Sequence, residues 1–424
     1  IYFLILFCFQ INAQNKKPNI VFILADDLGY GDLGCYGSTK IYTLNIDALA
    51  KAGTKFAQFY AGSTVCAPSR AALMTGLHTG HTTIRGNGEV PLSTTDSILP
   101  QYLHKAGYKN GIVGKWGLGQ FGTTGVPENK GWDFFAGLLH HVEGHFQKPD
   151  SAWKFINGKS AKVKIPEGQY SNEWFTNQAK IFIKEQQSNP FFLYLAYTLP
   201  HAELVVPNTN MQTYLTPEGL SKFSPEKAHP SGQHYGPQNN PKAAYAAMVS
   251  QMDQYVGQII AYLKEQKLYD NTIIIFTSDN GTHKEGGRTN QDISFFNSSG
   301  GLRGEKRDLY EGGIRIPFIV SWKGKIKPAS SNEFIGALWD IVPTINEIAG
   351  VKTANQTDGI SFVNALQGKK QVNHNLLYWE FYEGGFKQAI LQNNWKAIRF
   401  YKGKTPIRTE LFDLSADKGE TINI

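Results

Sequence analysis

The chain has 424 residues, 41% of them hydrophobic and 18% charged, with a formal net charge of +7. That length holds one large domain and a smaller companion, and the ordinary composition excludes a disordered chain. The basic balance favours anionic partners in general, but no Lys/Arg block, helix-turn-helix or zinc-finger pattern accompanies it, so no nucleic acid partner is expected.

Ile1–Ile11 reads IYFLILFCFQI, an apolar run well short of the roughly 20 residues that span a bilayer. Asn12-Ala13-Gln14 follows, with small Ala13 at a cleavage point, so residues 1–13 read as a secretory signal peptide that lacks its basic start. A lipobox at Cys8 does not fit its surroundings. The mature protein is therefore expected to be exported, periplasmic or extracellular, with no stable membrane association. Of the three cysteines, Cys8, Cys35 and Cys66, cleavage leaves two, too few for a disulfide scaffold. Cys35 reads as an unreactive packing or surface thiol.

Four apolar runs read as buried parallel strands, each ending in residues of chemical interest. Ile20–Ala25 runs into Asp26-Asp27, Gly111–Gly114 into Lys115, Phe191–Leu199 into Pro200-His201, and Ile273–Thr277 into Ser278-Asp279-Asn280. Helical spacing marks Ile46–Ala52, Ile98–Ala106 and Lys242–Lys267, with Gly53 and Gly107 placed as C′ glycines. Strand alternating with helix predicts an α/β sandwich on a mainly parallel sheet, whose ligands bind beyond the carboxyl ends of its strands. The four strand ends should then converge on one edge. Glu203–Pro241, rich in Pro, Gly, Asn and His, reads as a long functional surface loop. After Gly368 the short aromatic-rich runs Leu376–Phe381, Gln388–Leu391, Trp395–Phe400 and Glu410–Asp413 predict a small antiparallel sheet. The expected division is a catalytic domain over 16–370 and a small C-terminal α+β domain over 371–424, itself cut short.

The strongest motif is Cys66-Ala67-Pro68-Ser69-Arg70. Pro68 suits the first turn of a helix over Pro68–Thr75, which puts residue 66 at a helix N-terminus, where free N–H groups favour an anion. Adjacent Asp26 and Asp27 would repel each other unless a cation lay between them. Asp279 and Asn280 add oxygen ligands of the kind calcium or magnesium takes.

The Cys66–Arg70 stretch resembles the Cys-x-Pro-Ser-Arg motif of type I, formylglycine-dependent sulfatases of the alkaline-phosphatase-like superfamily, among them bacterial arylsulfatases and carbohydrate sulfatases. Pro18–Gly37, Gly114–Gly119, Ser278–Gly281 and Leu302–Pro317 resemble further blocks of that family, in its order. The resemblance implies that a maturation enzyme oxidises Cys66 to formylglycine, whose hydrate is the nucleophile on a sulfate ester. It implies one calcium, rather than magnesium, held by Asp26, Asp27, Asp279, Asn280 and residue 66. It implies that Arg70 supports formylglycine, that Lys115 and Lys306 bind sulfate, and that His201 protonates the leaving alcohol. The substrate would be a sulfated carbohydrate or an aryl sulfate, and Trp153 and Trp174 are candidate sugar-binding aromatics. One position departs from the family. Gly117 stands where Gly-Lys-Trp-His is usual. His140, His141 and His145 lie downstream, and His145 is the expected substitute, the other two sitting nearer the apolar Gly-Leu-Leu run. The rival readings are a phosphomonoester or phosphonate hydrolase, against which Cys66 and Asn280 argue, and an inactive binder of sulfated glycans, against which the complete residue set argues.

Overall fold

The computed structural model describes residues 17–352 and 357–424. The leader-like run Ile1–Ile11 and the cleavage point after Ala13 lie outside the described residues.

Five strands lie side by side and parallel, in the spatial order Thr272–Ser278, Asn19–Ala25, Phe191–Ala196, Lys109–Lys115 and Phe134–Leu138. Shorter strands extend this sheet on both sides. Phe318–Ser321, Thr54–Phe56 and Ser330–Asn332 continue it beyond Thr272–Ser278, and the hairpin Ser151–Ile156 with Lys159–Lys164 continues it beyond Phe134–Leu138. The continuous apolar runs have a simple cause. Val21, Ile23 and Ala25 enter the core on one face, and Ile20, Phe22 and Leu24 the core on the other. Helices Leu44–Ala52, Ser171–Glu185 and Pro241–Glu265 cover the first face; Cys66–Thr75, Leu99–Lys105 and Ile341–Ala349 cover the second. Each fully buried Ile, Leu or Phe contributes about 1.5–3 kcal/mol.

The four expected strands are the inner parallel neighbours, so their carboxyl ends do meet along one edge. The run Phe191–Leu199 pairs only as far as Ala196. Beyond it the chain bends back, and the Leu199 carbonyl accepts from Asp26 N at 2.9 Å, which brings Pro200-His201 over the adjacent strand end. Two expectations need correction. Gly53 has φ −142°, not a left-handed value. Glycine is needed there because a Cβ would lie 2.1 Å from the Val320 carbonyl oxygen of the neighbouring strand. Trp174 is only 8% exposed and belongs to the helical core, so it offers no sugar platform.

Leu377–Phe381, Lys387–Gln392, Trp395–Lys402 and Thr405–Asp413 form the small antiparallel sheet. Its fourth strand starts earlier than the pattern shows, because Thr405–Thr409 is exposed and carries no alternation. Leu377, Trp379 and Phe381 alternate inward and pack with Tyr60, Val65, Ala72 and Trp339. The small sheet is thereby seated against the helix that begins at Cys66, with Trp379 Nε1 donating to the Ala61 carbonyl at 2.9 Å.

Candidate active site

At the carboxyl edge of the sheet Asp26, Asp27, Asp279 and Asn280 are all fully buried. Oxygen atoms of the three aspartates lie within 4.8 Å of one another. Asp279 Oδ1 accepts from Asp27 N at 3.0 Å, and Asn280 Nδ2 donates to Asp27 Oδ1 at 2.7 Å. Asp27 holds this position at φ +63°, a left-handed conformation uncommon for a side-chain-bearing residue. Burial and the charge of Asp26 push the Asp279 carboxyl up to about 7, even against Arg70. Burial acts the same way on Asp26, but Lys115 and Arg70 outweigh it and hold that carboxyl well below the usual range.

The helix Cys66–Thr75 starts two residues earlier than Pro68 alone predicts, so Cys66 is its first residue. Val65 supplies no side-chain cap. Ser69 Oγ donates to the Asp279 carbonyl, and Arg70 donates from Nε to Asp279 Oδ2 at 3.0 Å and from Nη1 to the Lys115 carbonyl at 2.8 Å. One turn of helix thus fixes residue 66 to two strand ends at once. Burial pushes the Cys66 thiol up, so the unmodified cysteine is a poor nucleophile.

Both lysines converge on the same point. Lys115 Nζ lies 2.7 Å from Asp26 Oδ2, and Lys306 Nζ lies 2.7 Å from Asp27 Oδ2. Burial favours loss of their protons, but the adjacent carboxylates prevail and keep both cationic. Lys306 also donates to His201 Nε2 at 2.9 Å, while His201 Nδ1 faces the Ala202 carbonyl. Burial and Lys306 lower the His201 pKa. Its resting form is therefore the neutral ring with the proton on Nδ1.

The donor set fits a hard divalent cation. Asp26 Oδ1 and Asn280 Oδ1 are buried and accept no hydrogen bond, which is costly unless a cation uses them. All candidate ligands are oxygens, as calcium and magnesium require.

A sulfatase family model matches residues 18–351, and a model of the N-sulphoglucosamine sulphohydrolase C-terminal region matches residues 303–424. The chain belongs to the sulfatase family. It is 31% identical to an arylsulfatase of Hemicentrotus pulcherrimus, over 94% of this chain and 69% of that protein. It is 29% identical to an N-acetylgalactosamine-6-O-sulfatase of Bacteroides thetaiotaomicron, over 97% of this chain and 91% of that protein. Its fold matches the crystal structure of Ps i-CgsB in complex with k-i-k-neocarrahexaose with a TM-score of 0.79 at 29% identity, over 96% of this chain and 89% of that one. The activity is hydrolysis of sulfate esters.

The sulfatase brings together every site residue expected from its sequence. His145 lies in the site, its ring stacked on His201 at 4.5 Å between centroids. Burial, together with the charges of His201 and Lys115, pushes the His145 pKa down to about 2, so it is a neutral ring at any working pH. His140 instead pairs with Glu89 at 2.8 Å on the rim. His141 is the residue next to Gly117: a Cβ on that glycine would lie 3.8 Å from His141 Cβ. Gly117 has φ +76°, so a histidine there would be strained on this backbone. Sequence reasoning missed Glu285, whose Oε2 lies 3.4 Å from both Lys306 Nζ and His201 Nε2, and which accepts from Arg307 and Tyr235 at 2.7 and 3.0 Å. Its signal was a carboxylate close behind the Asp279-Asn280 strand end. Tyr235 and His234 come from the loop after Glu203; no periodicity marked them, and His234 Nε2 lies 3.4 Å from His145 Nδ1.

Proposed function

We propose that this sulfatase removes sulfate from sulfated carbohydrates, with formylglycine made from Cys66 as its nucleophile and one calcium ion as its cofactor. The observation that carries the reading is the set of orphaned buried oxygens, Asp26 Oδ1 and Asn280 Oδ1, beside a motif cysteine at a helix start tied down by Arg70. Asp26, Asp27, Asp279, Asn280 and residue 66 would hold the cation, which supplies charge for the sulfate oxygens and orients the nucleophile. Once a maturation enzyme has oxidised it, residue 66 supplies a hydrated aldehyde, one hydroxyl of which attacks sulfur while the other releases the bound sulfate.

The remaining roles belong to side chains in place. Lys115 and Lys306, kept cationic by Asp26 and Asp27, bind sulfate oxygens as negative charge shifts onto them. Arg70 locks residue 66 against Asp279 and the Lys115 carbonyl. His201, once protonated at Nε2, gives that proton to the departing alkoxide, the Ala202 carbonyl remaining the partner of Nδ1–H. The lowered pKa makes the protonated ring a strong acid, suited to a poor sugar-alcohol leaving group. His145, neutral and stacked on His201, takes the place of the donor missing at Gly117, with His141 bordering that glycine.

Among the described residues no helix is long and apolar enough to cross a membrane. The sulfatase is proposed to be exported to the periplasm or outside the cell, cleaved after Ala13, with a mature N-terminus at Gln14. N-terminal sequencing that finds Ile1–Ile11 retained would refute this. The central test is a panel of defined sulfated mono- and oligosaccharides assayed for sulfate release beside a phosphate monoester. Sulfate release that is lost in chelator, restored by calcium, and accompanied by a mass matching aldehyde in place of thiol at residue 66 is the expected result. Faster phosphate release, or full activity without metal, would sink the proposal.

A further inference from the structure

Among the described residues, Asn87 is the side chain that hydrogen-bonds with residue 66. Its Oδ1 accepts from Ala67 N at 3.1 Å and lies 3.6 Å from Cys66 Sγ. Ala67 N–H needs an acceptor, which assigns the carboxamide oxygen to that side and the nitrogen to the other. Asn87 therefore caps the catalytic helix from outside, in place of Val65, which has no capping side chain. Its backbone N–H donates to Glu383 Oε1 at 3.0 Å, and Glu383 Oε2 lies 3.7 Å from Arg307 Nε. Glu383 sits in the turn between the first two strands of the small C-terminal sheet. The other end of the carboxamide, Nδ2, donates to no protein group among the described residues.

We propose that Asn87 is a substrate-binding residue: its Oδ1 orients residue 66, and its Nδ2 donates to an oxygen of the sulfate group held there. With the oxygen committed to Ala67, the carboxamide leaves two N–H donors near residue 66. Two lysines and one neutral carboxamide then share the sulfate oxygens. Glu383 holds the Asn87 backbone in place, which makes the small sheet part of the active site. The inference rests on residue 66 being the nucleophile.

Asn87→Asp separates this role from simple capping. A carboxylate still accepts from Ala67 N–H and complements the helix dipole, so a residue that only caps would be fully replaced. Expected instead is a melting temperature at or above wild type, kcat/KM lower by roughly tenfold or more on every sulfate ester tested, and a Ki for sodium sulfate raised by a similar factor. Asn87→Ala, which removes both ends of the amide, should weaken sulfate inhibition equally and also lower the melting temperature. The sulfate-induced rise in melting temperature should shrink in both variants, a readout that does not depend on turnover. A Ki for sulfate within about twofold of wild type in either variant overturns the proposal. Cys66→Ala is run alongside: an active Cys66→Ala enzyme would overturn the nucleophile itself, whereas an inactive one beside a wild-type-like Asn87→Asp removes only Asn87.

Discussion

Two buried clusters of charge share the segment from Leu302 to Pro317. Lys306 belongs to the first, with Asp26, Asp27, Asp279, Lys115 and Arg70. Glu311 belongs to the second, beneath the small sheet, with Lys396, Arg315 and Glu420. In each, burial pushes one carboxyl, Asp279 or Glu420, up to about 7. Acids and bases are balanced in both. The difference lies in single atoms. In the second cluster Lys396 reaches Glu311 and Glu420 at 2.9 Å each, Arg315 reaches Glu311 at 2.7 Å, and Glu420 Oε2 accepts from Glu311 N at 2.6 Å. In the first, Asn280 Oδ1 has no donor, and Asp26 Oδ1 has only Arg70 at 3.4 Å. Buried charge alone does not mark a reactive site, and neither does an acceptor without a hydrogen bond, since Glu420 Oε1 also lacks one but keeps Lys396 at 2.9 Å. What sets the first cluster apart is such acceptors gathered beside three carboxylates whose oxygens lie within 4.8 Å of one another.

The largest expected effect breaks the first cluster. Asp279→Asn should abolish sulfate release, because it removes the charge of a proposed cation ligand and weakens the anchor of Arg70 together. Its stability should move the other way. A buried Asp whose folded pKa is raised favours its protonated form. Ionised Asp279 therefore costs stability increasingly as pH rises from about 4, the unfolded value, through about 7. Metal-free Asp279→Asn should melt at or above metal-free wild type at pH 8, and calcium should raise the melting temperature of wild type alone. A calcium-stabilised, active variant would refute the ligand assignment.

The second cluster should give the mirror result. Lys396→Met leaves Glu311 and Glu420 buried without their shared cation. Breaking a buried pair in this way costs about 3–5 kcal/mol, read as a lowered denaturation midpoint. The kcat of the folded protein should stay within about twofold of wild type. If kcat fell tenfold at unchanged stability, the second cluster would be part of the reaction, and the contrast between the two would fail.

The sequence carries these two regions unequally. The strand-end residues were legible because parallel strands buried on both faces read as unbroken apolar runs, and polar residues at their ends have nowhere to go but the carboxyl edge. Cys66–Arg70 was legible as a motif. The outer strands Thr54–Phe56 and Phe318–Ser321 were not, being too short to show a period. Neither was the hairpin Ser151–Lys164, partly exposed and rich in lysine. Glu285, Tyr235 and Asn87 come from loops, where no repeat links position to direction. Lys396 is fully buried in a strand that reads as half-exposed, since only a tertiary ion pair explains a lysine on the inner face. Gly117 was read as a lost donor, and its positive φ adds a backbone reason for glycine that sequence does not carry.

The smallest effect expected is at His145, and it sharpens the account of Gly117. The ring lies face to face with His201 at 21° between planes and within 3.4 Å of His234. Its pKa of about 2 means that it cannot serve as a cation for sulfate, so the role proposed for it is that of a neutral ring that fixes His201 and offers one N–H. His145→Ala should therefore lower kcat on a sugar sulfate by roughly tenfold, about 1.4 kcal/mol, and affect an activated aryl sulfate less. The difference follows from the leaving groups: an aryl oxide departs without much help from His201, whereas a sugar alkoxide needs its proton. His145→Gln, which keeps a neutral donor, should recover part of the loss, and His141→Ala should not reproduce it, because His141 borders Gly117 and lies 6.2 Å from the His145 ring. Equal losses on both substrates would move His145 from supporting the acid to binding sulfate itself. A wild-type rate in His145→Ala would leave His141 as the residue that answers for Gly117.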